Sequence, residues 1–325
     1  MKKTLSVIMC LVLMLIALTG CGKVQEESTT IRIGAMSGPT AMGMVRLMKD
    51  AEDGNTVNSY DFAELATDAS AFVPALATGE LDIAAVPSNL ASTIYNNTDG
   101  QVKVLAVCVL GVLNLVERGD SVNSIADLKG KDIYATGQGA VPEYTIRYLL
   151  NANGLDIESD VNMIWCADTT EALSYLSSVE GAIAVLPQPF ATAAAAQVED
   201  LRIAMDLNDA WDETGADCEI VTGVIVARKE FVDNYPNQLK QFMEEYAKSV
   251  SATYDNIDET AELIAQYGIV PKAPLAKKAL PGCHIVNITG SELKNTLEGF
   301  LNVIYEMNPK AVGGALPSAD FYYGI

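Results

Sequence analysis

Two segments of the chain correspond to each other at an offset of 100 residues, without a gap. Residues 83–87 read Ile-Ala-Ala-Val-Pro, and residues 183–187 read Ile-Ala-Val-Leu-Pro. Asp68 and Asp168 precede them as equivalent signals for the start of a helix. A repeat of strand, turn and helix signals in the same order predicts two similar structural units.

Short β-branched runs alternate with helical stretches along the rest of the chain, which is typical of α/β proteins with parallel sheets. We therefore predict a two-lobe α/β fold in which each lobe is a mainly parallel sheet flanked by helices. Residues 109–114 and 219–226 are extended runs with a central glycine, and they predict two crossover strands that act as a hinge. The predicted lobe 1 is discontinuous, with residues 31–110 plus 223–325. The predicted lobe 2 is residues 111–222, with hinge strands at its borders.

The N-terminus has the pattern of an export signal. Two lysines precede an apolar stretch at residues 5–18, which is too short to span a bilayer. Leu-Thr-Gly-Cys at residues 18–21 is similar to the bacterial lipobox, in which the cysteine is lipidated. We predict a signal peptide at residues 1–20, lipidation of Cys21 and a polar tether at residues 21–30; the alternative is an ordinary signal peptide with an incidental cysteine. Two acyl chains on Cys21 would anchor the protein to a membrane.

The composition excludes several classes of function. The formal net charge of −21 argues against nucleic acid, because phosphate binding requires clustered Lys and Arg. A single His argues against a His-based zinc site and against a Ser-His-Asp triad. Hydrophobic residues make up 50% of the chain, enough for a sizeable core.

Four segments carry a resemblance to a known family. They are Ala-Leu-Ala-Thr-Gly-Glu-Leu-Asp-Ile-Ala at residues 75–84, Asp-Leu-Lys-Gly-Lys-Asp-Ile at 127–133, Ala-Val-Leu-Pro-Gln-Pro-Phe at 184–190 and Phe-Val-Asp-Asn-Tyr-Pro at 231–236. The chain resembles the substrate-binding lipoproteins of ABC importers, of the nitrate/sulfonate/taurine and NMT1/THI5-like type. The resemblance implies the type II periplasmic-binding-protein fold, which closes over a small molecule and performs no chemistry.

The resemblance also implies partners and a location. The ligand would be delivered to the transmembrane subunits of a permease, which work with a cytoplasmic ATPase. The protein would be a monomer on the outer face of the bacterial cytoplasmic membrane. It would need no cofactor and would bind no metal.

Ligands of open α/β sheets bind beyond the carboxyl ends of the strands, close to helix N-termini. This rule selects four loops, and the resemblance places a ligand at the same loops. Loop one is residues 37–40, loop two 87–89, loop three 136–140 and loop four 187–189. The candidate ligand-binding residues are Ser37, Gly38, Thr40, Ser88, Asn89, Thr136, Gln138, Gly139 and Gln188.

Each candidate also has a structural alternative. The glycines could serve only tight turns, Ser88 and Asn89 could cap a helix, and Gln188 could be structural. The four loops contain no Lys, Arg or carboxylate, so a neutral, amphoteric or anionic ligand fits them. Arg147 could reach an anion, but Glu143 lies four residues before it and predicts a surface ion pair instead.

The cysteines predict no metal or redox motif, because no C-x-x-C is present. Cys108 and Cys166 lie in apolar runs that suit buried thiols. Cys218 and Cys283 lie in polar segments and could form a disulfide in an exported protein, or could stay free. His284, beside Cys283, is interpreted as a loop residue rather than a metal ligand.

Two other functions stay open beside an importer's binding protein. A surface or sensory lipoprotein without a transport partner would have the same fold. The second alternative is a pyrimidine synthase similar to THI5. The resemblance implies that such an enzyme needs a lysine with a nearby histidine and a cysteine-rich motif. Lys49 has no histidine beside it, and no cysteine cluster is present, so we predict that the protein is not an enzyme.

Overall fold

Two β-sheets organise the protein. The computed structural model describes residues 29–63, 65–66 and 68–325, and residues 31–325 belong to one compact unit. The predicted signal peptide, Cys21 and most of the tether lie outside the described residues. The described strands are β1 (Thr30–Ala35), β2 (Ser59–Phe62), β3 (Ile83–Pro87), β4 (Val102–Leu110), β5 (Leu113–Arg118), β6 (Asp132–Ala135), β7 (Asn162–Trp165), β8 (Ile183–Pro187), β9 (Leu201–Asp206), β10 (Val221–Arg228) and β11 (Ile285–Ile288).

The first sheet has six strands in the order β11-β4-β10-β3-β1-β2, and the second has five in the order β7-β6-β8-β5-β9. We call the six-stranded sheet, with the helices packed on it, lobe 1, and the five-stranded sheet with its helices lobe 2. The chain passes from lobe 1 to lobe 2 between β4 and β5. It returns between β9 and β10.

Both sheets are mixed, so the expectation of mainly parallel sheets is wrong in this detail. In lobe 1 the pair β1–β3 is parallel, whereas β10 runs antiparallel to both β3 and β4. In lobe 2 the pairs β6–β7 and β6–β8 are parallel, whereas β5 runs antiparallel to β8 and β9. The antiparallel members β5 and β10 are the strands that directly follow the two crossings. The chain enters lobe 2 at β5 directly from β4, and it enters lobe 1 at β10 through the helix at residues 207–213.

The helices cover the faces of these sheets. They are α1 (Pro39–Met42), α2 (Val45–Glu52), α3 (Phe72–Thr78), α4 (Ser88–Asn97), α5 (Val141–Ala152), α6 (Thr169–Ser178), α7 (Phe190–Gln197), α8 (Leu207–Glu213), α9 (Lys229–Asn234), α10 (Pro236–Asp255), α11 (Ile257–Gln266), α12 (Ala273–Ala279) and α13 (Gly290–Met307). Among the described helices, none combines the length and apolar character that a membrane crossing requires.

The correspondence at an offset of 100 residues reappears as strand register. Ile33 of β1 pairs with Ile83 of β3, and Ile133 of β6 pairs with Ile183 of β8, both in parallel. Asp168 caps α6 by accepting from the backbone N–H groups of the first turn, and Asp68 accepts from Ser70 N before α3. The repeated letters therefore mark equivalent positions in the two lobes.

A continuous apolar cluster joins the two lobes near the second crossing. Trp211 of α8 is 1% exposed. Its ring centroid lies 4.1 Å from that of Tyr148 on α5 and 5.8 Å from that of Phe300 on α13. Because α5 belongs to lobe 2 and α13 packs on lobe 1, Trp211 connects the lobes through packing. The structure therefore describes an arrangement in which the lobes are in contact.

Candidate ligand-binding site

Loop two begins α4 with two buried polar residues. The Ser88 hydroxyl is fully buried and donates to the carbonyl oxygen of Val221 at 2.6 Å. Asn89 is 6% exposed, and its Nδ2 donates to Gly139 O at 3.3 Å and to Ala311 O at 3.2 Å. The Oδ1 atom of Asn89 is buried and accepts no hydrogen bond. Ser88 thus fixes loop two to β10, while Asn89 reaches across to lobe 2.

Loop three supplies the other side of that contact. Gly139 is exposed apart from its carbonyl contact with Asn89, and its N–H donates to Glu143 Oε2 at 2.7 Å. Glu143 also pairs with Arg147, at 3.0 Å, which confirms the predicted ion pair, although both side chains are largely buried rather than on the surface. Thr136 is half-buried and Gln138 is exposed. The loop therefore places one carboxylate against its own backbone amide at the start of α5.

Loop one is held mainly by its own backbone. The Thr40 hydroxyl donates to Met36 O at 2.8 Å, and Ser37 N donates to Ala66 O at 2.7 Å. Gly38 has φ of 132°, which L side chains rarely adopt, so this turn requires glycine. A Cβ placed on Gly223 would lie 2.8 Å from Thr40 Cγ2, which shows how closely loop one approaches β10.

Loop four brings a buried amide to the border of the lobes. Gln188 is 5% exposed, and its Oε1 accepts from the Thr192 hydroxyl at 2.8 Å. A Cβ placed on Gly282, in the segment before β11 of lobe 1, would lie 3.3 Å from Gln188 Cγ. Gln188 therefore packs against lobe 1, while its side-chain oxygen accepts a hydrogen bond from Thr192 in α7.

The structure brings the candidates together to different degrees. Asn89 and Gly139 are in direct contact between the lobes, and Ser88 is bound to β10 beside them. Thr40 also meets β10, at Gly223. Gln188 approaches lobe 1 at a separate segment, and Ser37, Thr136 and Gln138 form no side-chain hydrogen bond among the contacts described. A ligand role for each of these residues stays a prediction.

Sequence reasoning missed two polar groups close to these loops. The Thr222 hydroxyl on β10 is buried without a hydrogen-bond partner. Thr222 lies between Val221, whose carbonyl oxygen accepts from Ser88, and Gly223. Asn308, after α13, donates through Nδ2 to the hydroxyl of Tyr144 on α5 at 2.9 Å. Thr222 lies in a segment predicted as a crossing, so its position gave a weak signal. Asn308 gave none, because its approach to α5 depends on how the C-terminal segment folds back.

Three segments converge where the chain passes between the two sheets. The carbonyl oxygen of Gly111, between β4 and β5, accepts from Asn208 Nδ2 at 3.0 Å and lies 2.5 Å from His284 Nδ1. A cavity of about 250 Å³ lies beside them, lined partly by the acidic residues Asp206, Asp209, Asp212 and Glu219. No group of three potential metal ligands occurs within the part of the chain that the structure describes.

The disulfide considered between Cys218 and Cys283 does not form, because both are free thiols. Cys218 packs against Gly299 on α13. Cys283 is buried in a different apolar cluster, with its sulfur 3.8 Å from Met42 Sδ. Burial raises the pKa of Cys283 to about 12 and also raises that of Cys218. Their polar neighbours in sequence suggested exposure, but the fold places each against its own core.

Two lobes joined by two crossings, with strand-end loops that meet between them, define the periplasmic-binding-protein fold. Known structures share it. A protein described as an ABC transporter from Parabacteroides distasonis has a TM-score of 0.77 at 23% identity, covering 90% of this chain and 98% of its own. The periplasmic aliphatic sulphonate binding protein SsuA from Escherichia coli has a TM-score of 0.70 at 15% identity, covering 91% and 93%. The alkanesulfonate-binding protein SsuA from Xanthomonas axonopodis pv. citri, bound to MOPS, has a TM-score of 0.66 at 13% identity, covering 91% and 96%.

The family follows from the sequence itself. The family model described as NMT1/THI5 like matches residues 64–260, more than half of the chain. The protein belongs to the NMT1/THI5-like family. No curated protein matches the chain.

Proposed function

We propose that the protein is the extracytoplasmic solute-binding component of an ABC importer. The observation that carries this proposal is the hydrogen bond from Asn89 to Gly139 O, because it joins two predicted ligand loops from different lobes. Family membership supports it, as do neighbours of the same fold whose printed names are those of sulfonate-binding and transporter proteins. The ligand is a small molecule held between the lobes by hydroxyls, amides and backbone groups.

Domain closure is the mechanism that this arrangement supports. A ligand between the lobes contacts both of them, so it stabilises the closed state by the difference between its contacts in the closed and open states. The crossings around Gly111 and Ile220 absorb the rotation between the lobes. The closed protein then presents the outer faces of both lobes to the permease.

The remaining parts of the proposal concern location and assembly. Residues 1–20 are removed as a signal peptide, Cys21 is lipidated, and residues 21–30 tether the folded unit to the outer face of the cytoplasmic membrane. The protein acts as a monomer that delivers its ligand to transmembrane permease subunits coupled to a cytoplasmic ATPase. The proposed lobe limits are residues 31–110 plus 223–325 for lobe 1 and 111–222 for lobe 2; β10 of the lobe 1 sheet begins at Val221, two residues before the proposed limit.

Binding is favoured over pyrimidine synthesis by the surroundings of Lys49. Its ammonium pairs with Asp53 at 2.5 Å on α2. His284 is engaged with Gly111 and Asn208 at the hinge. A lysine and a histidine that act on one substrate would have to meet, and these two residues are bonded to different partners.

A thermal-shift screen tests the proposal. The chain from residue 23 onward contains the whole compact unit and is used with sulfonates, oxyanions, pyrimidines, amino acids and small aromatic acids. A ligand at 100 times its Kd should add about 2.7 kcal/mol to the free energy of unfolding. Mass spectrometry of small molecules released by denaturation runs in parallel. No stabilisation by any class, together with no released molecule, would contradict a solute-binding role.

Substitution of Asn89 and Gln138 locates the site. Asn89→Ala should weaken ligand binding about tenfold and lower the free energy of unfolding by about 1 kcal/mol, since it removes the bonds to Gly139 and Ala311. Gln138→Ala should weaken binding with no loss of stability, because Gln138 is exposed. Calorimetric titration with the ligand found in the screen measures both affinities.

Asn96 is the matched control on the same helix. Its Nδ2 donates to Val312 O at 2.8 Å and to Ala315 O at 2.7 Å, in the segment that also holds Asn89. Asn96→Ala should therefore cost similar stability and leave the ligand affinity unchanged. If the Asn89, Gln138 and Asn96 variants all bind the ligand as tightly as the wild type does, loops two and three are not part of the site.

A further inference from the structure

Loop three offers a carbonyl oxygen to lobe 1, while its Gly139 N–H is already bonded to a carboxylate. An anion at the start of α5 would be bound by free backbone N–H groups there. The N–H of Gly139 instead donates to Glu143 Oε2 at 2.7 Å, and the Glu143 side chain is only 12% exposed. The loop's remaining contact across the lobes is made by a carbonyl oxygen, Gly139 O. Both features repel an anionic group and attract a hydrogen-bond donor.

Loop two adds an acceptor of the same kind. Asn89 Oδ1 is buried and unpartnered, while its Nδ2 is committed to two carbonyl oxygens. Separation of the lobes breaks the bond between Asn89 and Gly139 and exposes this acceptor together with Gly139 O. Closure around a ligand buries this acceptor again, and a buried acceptor without a donor is costly, so a ligand that donates N–H to Asn89 Oδ1 gains affinity.

The arginines that follow loops one and three already form ion pairs with carboxylates. Arg147, the arginine that follows loop three, bonds Glu143 at 3.0 Å and Glu158 at 2.7 Å. Arg46, which follows loop one, bonds Asp50 at 3.0 Å and Glu259 at 2.6 Å. An exposed lysine, Lys310, adjoins Ala311. Its ammonium group is a candidate partner for an anion near Asn89.

We propose that the cleft selects ligands that carry no negative charge and that donate N–H groups to Asn89 Oδ1 and the loop-three oxygens. Amides, amines and uncharged nitrogen heterocycles belong to this class, whereas sulfonates, carboxylates and inorganic oxyanions do not. The inference rests on the proposed solute-binding function and narrows its ligand. Glu143 is the specificity-determining residue, because it holds a negative charge on the amide of Gly139 at the start of α5.

Matched pairs of compounds test the inference. Each pair shares a skeleton and differs in charge: methanesulfonate with methanesulfonamide, nicotinate with nicotinamide, and orotate with uracil. The wild-type protein should be stabilised by at least one uncharged member, and the charged partner of that compound should bind at least tenfold more weakly. Tighter binding of the charged member would overturn the inference while leaving the proposed function in place.

Variants of the two carboxylates that share Arg147 identify the cause. Glu143→Gln should strengthen binding of the charged member about tenfold, because a unit negative charge is removed beside loop three. Glu158→Gln removes a carboxylate from the same arginine without touching Gly139, so it should leave both affinities unchanged. Equal melting temperatures of the free variants show that neither change acts through the fold. A Glu143→Gln variant that binds the charged member no better would also overturn the inference.

Two further outcomes are distinct from these. Wild-type binding of a charged member that is lost in Lys310→Gln would show that Lys310 builds an anion site, which overturns the inference. Absence of binding by every pair member, in the wild type and in Glu143→Gln, would overturn the inference, whereas the proposed function is contradicted only if the full screen and the mass spectrometry also find no ligand.

Discussion

Replacement of Asp82 by alanine is expected to lower the free energy of unfolding by about 3 kcal/mol, the lower end of the cost of breaking a buried ion pair, because the Arg32 side chain is 40% exposed to solvent. Asp82 is 3% exposed and lies between β1 and β10 in lobe 1. Arg32 donates to it through Nη2 at 2.7 Å and Nε at 2.9 Å, and Arg228 donates through Nη2 at 2.9 Å. Without the carboxylate, two guanidinium groups face each other across the sheet without their shared partner. Denaturation by urea measures the loss.

The same site predicts a dependence on pH. Burial by itself would raise the pKa of Asp82, but the hydrogen bonds from Arg32 and Arg228 outweigh it and hold the pKa below its ordinary value. A carboxylate with a lowered folded-state pKa contributes stability that is complete above its unfolded pKa of about 4. This contribution is lost as the pH falls through the folded-state pKa. The difference in stability between wild type and Asp82→Ala should therefore shrink below about pH 4.

Glu230 supplies the control for Asp82. It bonds Arg228 at 2.9 Å, but its side chain is 71% exposed. An exposed pair contributes little, so Glu230→Gln should change the free energy of unfolding by less than about 0.5 kcal/mol. A similar loss in both variants would mean that the charge of Arg228, rather than the burial of Asp82, governs the effect.

The two-lobe fold could be predicted because its signals are local and repeated. Apolar runs of strand length, helix-start residues such as Asp168, and the offset of 100 residues each depend on neighbouring letters. The insertion of β10 between β3 and β4 could not be read in this way. β10 follows β4 by more than 100 residues, and its antiparallel direction depends on where the chain returns from lobe 2.

Candidate site residues were predicted from the rule that ligands bind beyond strand ends. Loops two and three meet across the lobes and loop four approaches lobe 1, whereas loop one contacts β10 of its own lobe. The rule does not distinguish a side chain committed to the fold from one that is available. Thr40 and Gln188 bond within their own segments, whereas Asn89 keeps an acceptor without a partner. Glu143 was interpreted only as the partner of Arg147. Its second role, on the amide of Gly139, depends on the turn that precedes α5.

Replacement of Gly111 by alanine is expected to lower the free energy of unfolding by about 2 to 3 kcal/mol. A Cβ at this position would lie 1.7 Å from Asn208 Oδ1 and 3.1 Å from Ile220 Cβ, so Asn208 has to move. The displaced amide then loses its bonds to Gly111 O and to Asp206 Oδ1, each 3.0 Å long. The expected loss lies in the upper part of the range for overpacking because these hydrogen bonds are lost as well.

A double variant separates the steric cause from any other. Asn208→Ala alone should cost about 1 kcal/mol, because it removes the hydrogen bonds without creating a clash. Adding Gly111→Ala to Asn208→Ala should then cost little more, since the two amide atoms within 3 Å of the new methyl group are absent and only Ile220 Cβ, at 3.1 Å, remains. The two effects should therefore be strongly less than additive, as expected for residues in direct contact. Additive losses would show that Gly111 is constrained by its own backbone or by Ile220, and the contact with Asn208 would then not set the geometry of the hinge.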